Sequence, residues 1–370
     1  MNRFTSKTRK EIAMRKKHII FLFVSIVACI FMLQPTLSIA KAPTYTIKLG
    51  HHSVDFDKYP TDPPVVNSLV FKRIVEADTD GDIEVKVYPN FKLGDTREMT
   101  EATQMGAIQA TINYTSVFTI FSKKIALLQI PYIFPNAEVA MRVLRGPFGE
   151  ELAEAVRAET GIRILNWCEG VGFRQFYSKK PIFTPADMKG MKFRVPENKG
   201  LLLMFRGMGA GVVTIPWSEL YTAMQTGVAE GAETESSSGL VIKLNEVINY
   251  LTISNHAYNI QPLLMNDAFY KKLPEKYQYI IQKAADQSDR AANGYSRVAD
   301  YGAIQQYLNA GVKVNYLTED QKNQFKALAQ PPYLKWVTEE VGKEWIDKFM
   351  KAIEVEKAAW DKEIKEKISK

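Results

Sequence analysis

The chain has 370 residues, 46% of them hydrophobic, with two cysteines and a formal net charge of +7. Residues 1–40 hold seven basic residues and one acidic residue, which leaves the remainder close to neutral. No basic footprint survives beyond the leader, so no nucleic-acid partner is expected.

Arg3, Lys7, Arg9, Lys10, Arg15, Lys16 and Lys17 precede an apolar run over residues 19–33, and Ser38-Ile39-Ala40 places small residues where a signal peptidase reads. This pattern predicts a secretory signal peptide at residues 1–40. Two other readings use the same residues. An uncleaved anchor has its far end interrupted by Gln34-Pro35, and a lipid anchor at Cys29 is followed by apolar residues where a polar tether belongs. Without the leader, Cys168 is the sole cysteine, which rules out an internal disulfide and a thiolate-built metal site. The remaining ~330 residues suit two domains better than one.

Residues 45–50 alternate as a strand, with His51 and His52 at its carboxyl end, where ligands lie in open α/β sheets. A helix over residues 63–77 and a strand over 83–89 follow, joined at Asp80-Gly81. Strand, helix, strand predicts a parallel crossover and an α/β domain. Residues 91–97 read as a loop, 98–105 as a helix closed by Gly106, and 110–115 as a strand whose Asn113 and Tyr114 face a pocket. One helix is expected over 137–160. The strand over 162–167 then delivers the chain to Arg174, with Trp167 in the core.

Thr184-Pro185-Ala186-Asp187 is a helix start, with Thr184 as cap and Pro185 at the first helical position. Lys192-Phe193-Arg194-Val195 alternates as a strand stopped by Pro196. An arginine at a strand mouth makes a planar clamp for a carboxylate. A helix over 199–208, a strand over 212–215 and a helix over 219–226 come next. Residues 228–234 read as a compact turn with two exposed acids, Glu230 and Glu233. Residues 251–256 read as a strand returning to the first domain. A long helix over 274–305 contains Gly294, which leaves its continuity open. A strand over 312–317 leads to a capping box at Thr318 and Gln321, and two or three helices finish the chain.

No dinucleotide fingerprint, phosphate loop, zinc-protease motif or nucleophile elbow appears. Glu230 and Glu233 offer a nominal acid–base pair, which the turn explains more simply. No enzyme activity is expected, and a sensor or recognition domain presenting a bound metabolite fits these absences better.

Four stretches then become specific: Gly172-Phe173-Arg174; Thr184-Pro185-Ala186-Asp187 through Arg194-Val195-Pro196; Leu128-Gln129-Ile130-Pro131-Tyr132-Ile133-Phe134; and Pro216-Trp217-Ser218-Glu219 through Glu233. Together with Tyr88-Pro89-Asn90-Phe91-Lys92-Leu93-Gly94-Asp95, they resemble DctP-type solute-binding proteins of TRAP transporters. The resemblance covers nearly all of the chain beyond the leader. It implies an α/β, two-lobed periplasmic-binding-protein-like fold with crossing strands and a long spanning helix. Lobe I would comprise 41–171 and 257–299, and lobe II 172–256 and 300–370 with the C-terminal helices. It further implies a monomeric periplasmic receptor that closes on a mono- or dicarboxylate and delivers it to a membrane permease driven by an ion gradient. By the same resemblance Arg194 is the principal carboxylate-binding arginine, Arg174 its helper and Trp217 an aromatic wall. Thr234 stands where many members place asparagine. His52, Asn113 and Tyr114 fall at variable positions near the ligand's distal end.

Overall fold

A computed structural model describes residues 42–53, 62–170 and 172–368, together with Met14. The signal peptide expected at residues 1–40 lies outside the described residues apart from Met14. The chain divides into two units, Met1–Ala42 and Pro43–Lys370, and all elements named below belong to the second.

The first sheet has the order β2-β1-β3-β11-β4. It is built from β1 (Tyr45–His51), β2 (Ile83–Tyr88), β3 (Ala110–Ile112), β4 (Ile162–Asn166) and β11 (Leu263–Asn266). β1 pairs in parallel with β2 and β3, and helix α1 (Pro63–Asp78) makes the predicted crossover. β11 runs antiparallel between β3 and β4. The second sheet has the order β12-β9-β5-β8-β6-β7. Its strands are β5 (Gly172–Ser178), β6 (Lys192–Val195), β7 (Gly211–Thr214), β8 (Gly231–Glu235), β9 (Tyr250–Ile253) and β12 (Lys313–Tyr316), and the short β10 (Tyr258–Asn259) pairs with β5. The chain is two-lobed, one sheet to each lobe.

Three connections join the lobes. β4 runs on into β5, and β9 returns through β10 to β11. The third is a single helix, α10 (Glu275–Asn309), whose Ile281 and Ala284 pack beneath the first sheet while Ala303 and Tyr307 pack beneath the second. It is continuous through Gly294, where nothing lies within 4 Å of an added Cβ. The return expected within residues 251–256 comes later. β9 ends at Ile253 inside the second sheet, and Asn255 adopts a left-handed φ of 49° that no extending strand tolerates.

The helix expected over 137–160 is two, α4 (Ala137–Arg145) and α5 (Pro147–Thr160). Pro147 lacks the N–H that would continue the first, and at Gly149 an added Cβ would sit 1.8 Å from the Leu144 carbonyl, so the helices touch there. Helices α2 (Thr96–Met105) and α3 (Thr115–Phe118) follow the loops beside β2 and β3. Helices α6 (Lys199–Gly207), α7 (Leu220–Thr226) and α8 (Ser236–Val241) belong to the second lobe, and α9 (Asp267–Lys272) follows β11. The capping box at Thr318 and Gln321 starts α11 (Glu319–Val341), which packs on α6. The final helix, α12 (Lys343–Ile368), expected with the second lobe, lies against α4 and α5, with Phe349 tilted against Phe148 at 5.1 Å between ring centroids. Among the described residues, no helix is long and apolar enough to cross a membrane.

Candidate functional site

Arg194 sits on β6, paired with β8 on one side and with the edge strand β7 on the other, so its side chain leaves an interior strand one in from the edge of the second sheet. It is 1% exposed. Its Nε donates to the Ile215 carbonyl at 2.8 Å, which fixes the plane of the guanidinium. Nη1 and Nη2 have no hydrogen-bond partner among the described residues. Burial pushes the group down to about 10, with Glu233 opposing that shift, and it remains charged at neutral pH. An unpaired buried donor pair of this kind is costly and calls for an acceptor.

Arg174 is placed differently. In the antiparallel β5–β8 register it faces Glu235, with Glu233 on the same face two residues away. Its Nη1 donates to Glu235 Oε1 at 2.8 Å, its Nη2 to Glu233 Oε1 at 2.8 Å, and its Nε to the other Glu233 oxygen. Burial works against the Arg174 charge, but the two glutamates overcome it and raise the pKa. Glu233 is held at about 2: burial pushes it up, and Arg174 and the nearby His256 outweigh that. The exposed turn expected at 228–234 is therefore a buried central strand over its last four residues. Glu233 and Glu235, both 0% exposed, are structural partners of an arginine. The available signal was two acids at strand spacing. It was hidden because Gly-Ala-Glu-Thr-Glu carries none of the large apolar residues that mark a buried strand.

Beside the two arginines lies a cavity of about 140 Å³, lined also by Tyr114, Trp217, Thr234 and Pro196. The Trp217 ring centroid is 5.9 Å from the Arg194 guanidinium carbon, within cation–π range. Thr234 Oγ1 donates to Glu235 Oε2 at 2.9 Å. A second compartment of about 450 Å³ shares Tyr114, Trp217, Phe91 and Ser218 with the first and adds His52, Ser53, Asp62 and Tyr221. Tyr114 and Trp217, 6.1 Å apart by ring centroid, stand between the two. The His52 ring lies tilted against Tyr114 at 4.1 Å between centroids, and burial followed by the neighbouring His51 pushes it down to about 3, so its imidazole is neutral at physiological pH. Burial raises Asp62 to about 6.

Six of the seven residues singled out in the sequence line these compartments. Asn113 does not: its amide donates to the Thr96 carbonyl and to Thr100 Oγ1, and its oxygen accepts the Tyr114 N–H at 2.8 Å. It is fully buried and ties β3 to α2, which leaves no donor for a ligand. Two contacts that sequence reasoning missed cross the cleft. Arg97 on α2 donates from Nη1 to both Glu197 oxygens, at 3.0 and 3.2 Å, at the rim of the first cavity. Asn198 caps α6 and donates to the Ser116 carbonyl at 2.7 Å and to Thr119 Oγ1 and Gln129 Oε1, both at 3.1 Å. Nothing in the local sequence announces either pair, since their members lie far apart along the chain. Among the described residues, no group of three or more His, Cys, Asp or Glu is placed to hold a metal ion.

The family model of bacterial extracellular solute-binding proteins, family 7 (DctP), matches residues 60–340. The chain is 29% identical over 289 residues to the C4-dicarboxylate-binding periplasmic protein DctP of Rhodobacter capsulatus, spanning 78% of this chain and 86% of the relative. A TRAP periplasmic solute binding protein from Desulfovibrio salexigens, solved with bound orotic acid, superposes with a TM-score of 0.79 at 28% identity over 84% of this chain and 99% of that one. Another from Sulfurospirillum deleyianum, with bound succinate, gives 0.75 at 28% identity over 83% and 98%.

Proposed function

The chain belongs to the DctP family of bacterial extracellular solute-binding proteins, and on that premise we propose that it is the receptor of a TRAP transporter for an organic acid. The observation that carries this reading is the Arg194 fork: two buried, unpartnered guanidinium nitrogens beside a cavity. A carboxylate fills such a fork with two parallel charge-assisted hydrogen bonds. Trp217 supplies a flat wall for the carbon body, Thr234 a hydroxyl, and Tyr114 with His52 the boundary of the far side. Arg174, its three nitrogens committed to Glu233 and Glu235, builds the floor of the site more than it pairs with the ligand.

Closure of the lobes around the acid expels water, which strengthens the ion pair at the expense of desolvating it. A ligand moves the open–closed balance only through its differential affinity for the closed form. The closed receptor, acting in the periplasm as a monomer without a cofactor, then docks on a membrane permease that takes up the acid on an ion gradient. Mass spectrometry of the copurifying small molecule identifies the acid. Calorimetry against that acid with Arg194→Ala is expected to show no detectable binding by a folded protein, and undiminished affinity would refute the assignment.

A further inference from the structure

The charges around the two compartments do not match a dicarboxylate. Among the described residues, their cationic side chains are Arg97, Arg174, Arg194 and Lys243. Arg97 is paired with Glu101 and Glu197. Arg174 is paired with Glu233 and Glu235. Lys243 lies 3.6 Å from Glu246. Arg194 alone is left without an acid.

The group behind Arg174 carries more negative than positive charge, one guanidinium against two carboxylates. Both acids are fully buried, and of this cluster only Arg174 and Thr234 line the cavity. The one cation of the far compartment among the described residues, Lys243, lies beside Glu246 and adds no net positive charge. The compartment also presents Asp62, the neutral imidazole of His52 and the hydroxyls of Ser53 and Tyr221. A second carboxylate on the ligand would therefore enter a space that already holds Asp62 and offers no unpaired cation.

We propose that this site selects monocarboxylates over dicarboxylates, with the single carboxylate on Arg194 and an uncharged, hydrogen-bonding or apolar body passing between Tyr114 and Trp217. The inference rests on the acid-binding reading of the site and narrows it. The size of the first cavity sets the body. About 140 Å³ is close to the volume of a buried cavity that accommodates benzene in another protein. Glu235 is the specificity-determining residue, because it takes the Arg174 nitrogen that Glu233 leaves over, and so withdraws the second cation from the ligand.

The test is a calorimetric titration of the full-length mature protein, cleared of copurified ligand, with three pairs of acids differing by one carboxylate: butyrate and succinate, 3-hydroxybutyrate and malate, benzoate and phthalate. The monoanion of at least one pair is expected to bind about ten-fold or more tightly than its dianion. Glu235→Gln is expected to shrink that ratio by strengthening dianion binding, with a melting curve to establish folding; the wild-type ratios carry the test if the variant unfolds. Dianions that bind as tightly as their partners, with Arg194→Ala abolishing both, would overturn the charge inference while leaving the acid receptor intact. No binding of any of the six acids would overturn this inference alone, and binding that survives Arg194→Ala would overturn the acid-receptor reading and this inference with it.

Discussion

Replacing Arg194 by methionine separates a binding role from a structural one, because the two predict opposite signs. Methionine keeps much of the side-chain volume and deletes the charge. On the proposed reading, the fork gives the ligand two hydrogen bonds to a charged group, each contributing about 1.5–3 kcal/mol. Their loss is about 3–6 kcal/mol, or roughly two to four orders of magnitude in Kd. On the stability side, the unliganded protein loses one hydrogen bond, from Nε to the Ile215 carbonyl. That loss costs about 1.5–3 kcal/mol. It is offset by relief of a guanidinium that is 1% exposed and whose two terminal nitrogens lack partners. An uncompensated buried charge costs about 3–5 kcal/mol. The unliganded variant is therefore expected to unfold in urea at the same free energy as the wild type or about 1–2 kcal/mol higher. Urea unfolding of ligand-free protein reads the first quantity and calorimetry with the identified acid reads the second. A variant that loses more than about 3 kcal/mol of stability yet keeps its affinity would refute the reasoning and make Arg194 a structural residue.

Two further outcomes follow from the same geometry. Glu233 is held at about 2 against an ordinary value of 4.5, so the stability it contributes is complete above about 4.5 and is lost as pH falls toward 2; urea titrations from pH 7 to 2 should show a decline on the order of 3 kcal/mol that Glu233→Gln lacks. Arg97→Ala and Glu197→Ala should each weaken ligand binding only a few-fold, by speeding dissociation, since the pair bridges the cleft but sits half in water; stopped-flow dissociation at low and high salt should show the difference from wild type shrinking as salt rises.

Much of the architecture was legible locally. The crossover of α1 between β1 and β2, the strand bearing Arg194 with its stop at Pro196, and the capping box at Thr318 all come from periodicity and turn chemistry acting over a few residues. Misreadings arose where a local pattern had a tertiary competitor. The break at Gly146-Pro147 is the exception, because the missing N–H of Pro147 is itself a local signal. The fate of β8 was set by its neighbours: Glu233 reads as a solvent-facing acid, and Glu235 draws no notice, until β5 is laid beside them with Arg174 in register. Asn113 read as a ligand contact because it ends a strand, and the position of α2 gave its amide other partners.

The residue types on which the proposed carboxylate recognition rests were therefore legible in the sequence alone: two arginines on short strands and a tryptophan after a proline, with the motifs that place the chain in its family. Which arginine is available was decided only by the tertiary structure. Arg174 and Arg194 are chemically identical and each lies on a strand of the same sheet. One faces two glutamates across a strand pair, and the other faces a backbone carbonyl and a cavity. Charge compensation in a buried site depends on through-space neighbours tens of residues away, and no local pattern encodes that distance.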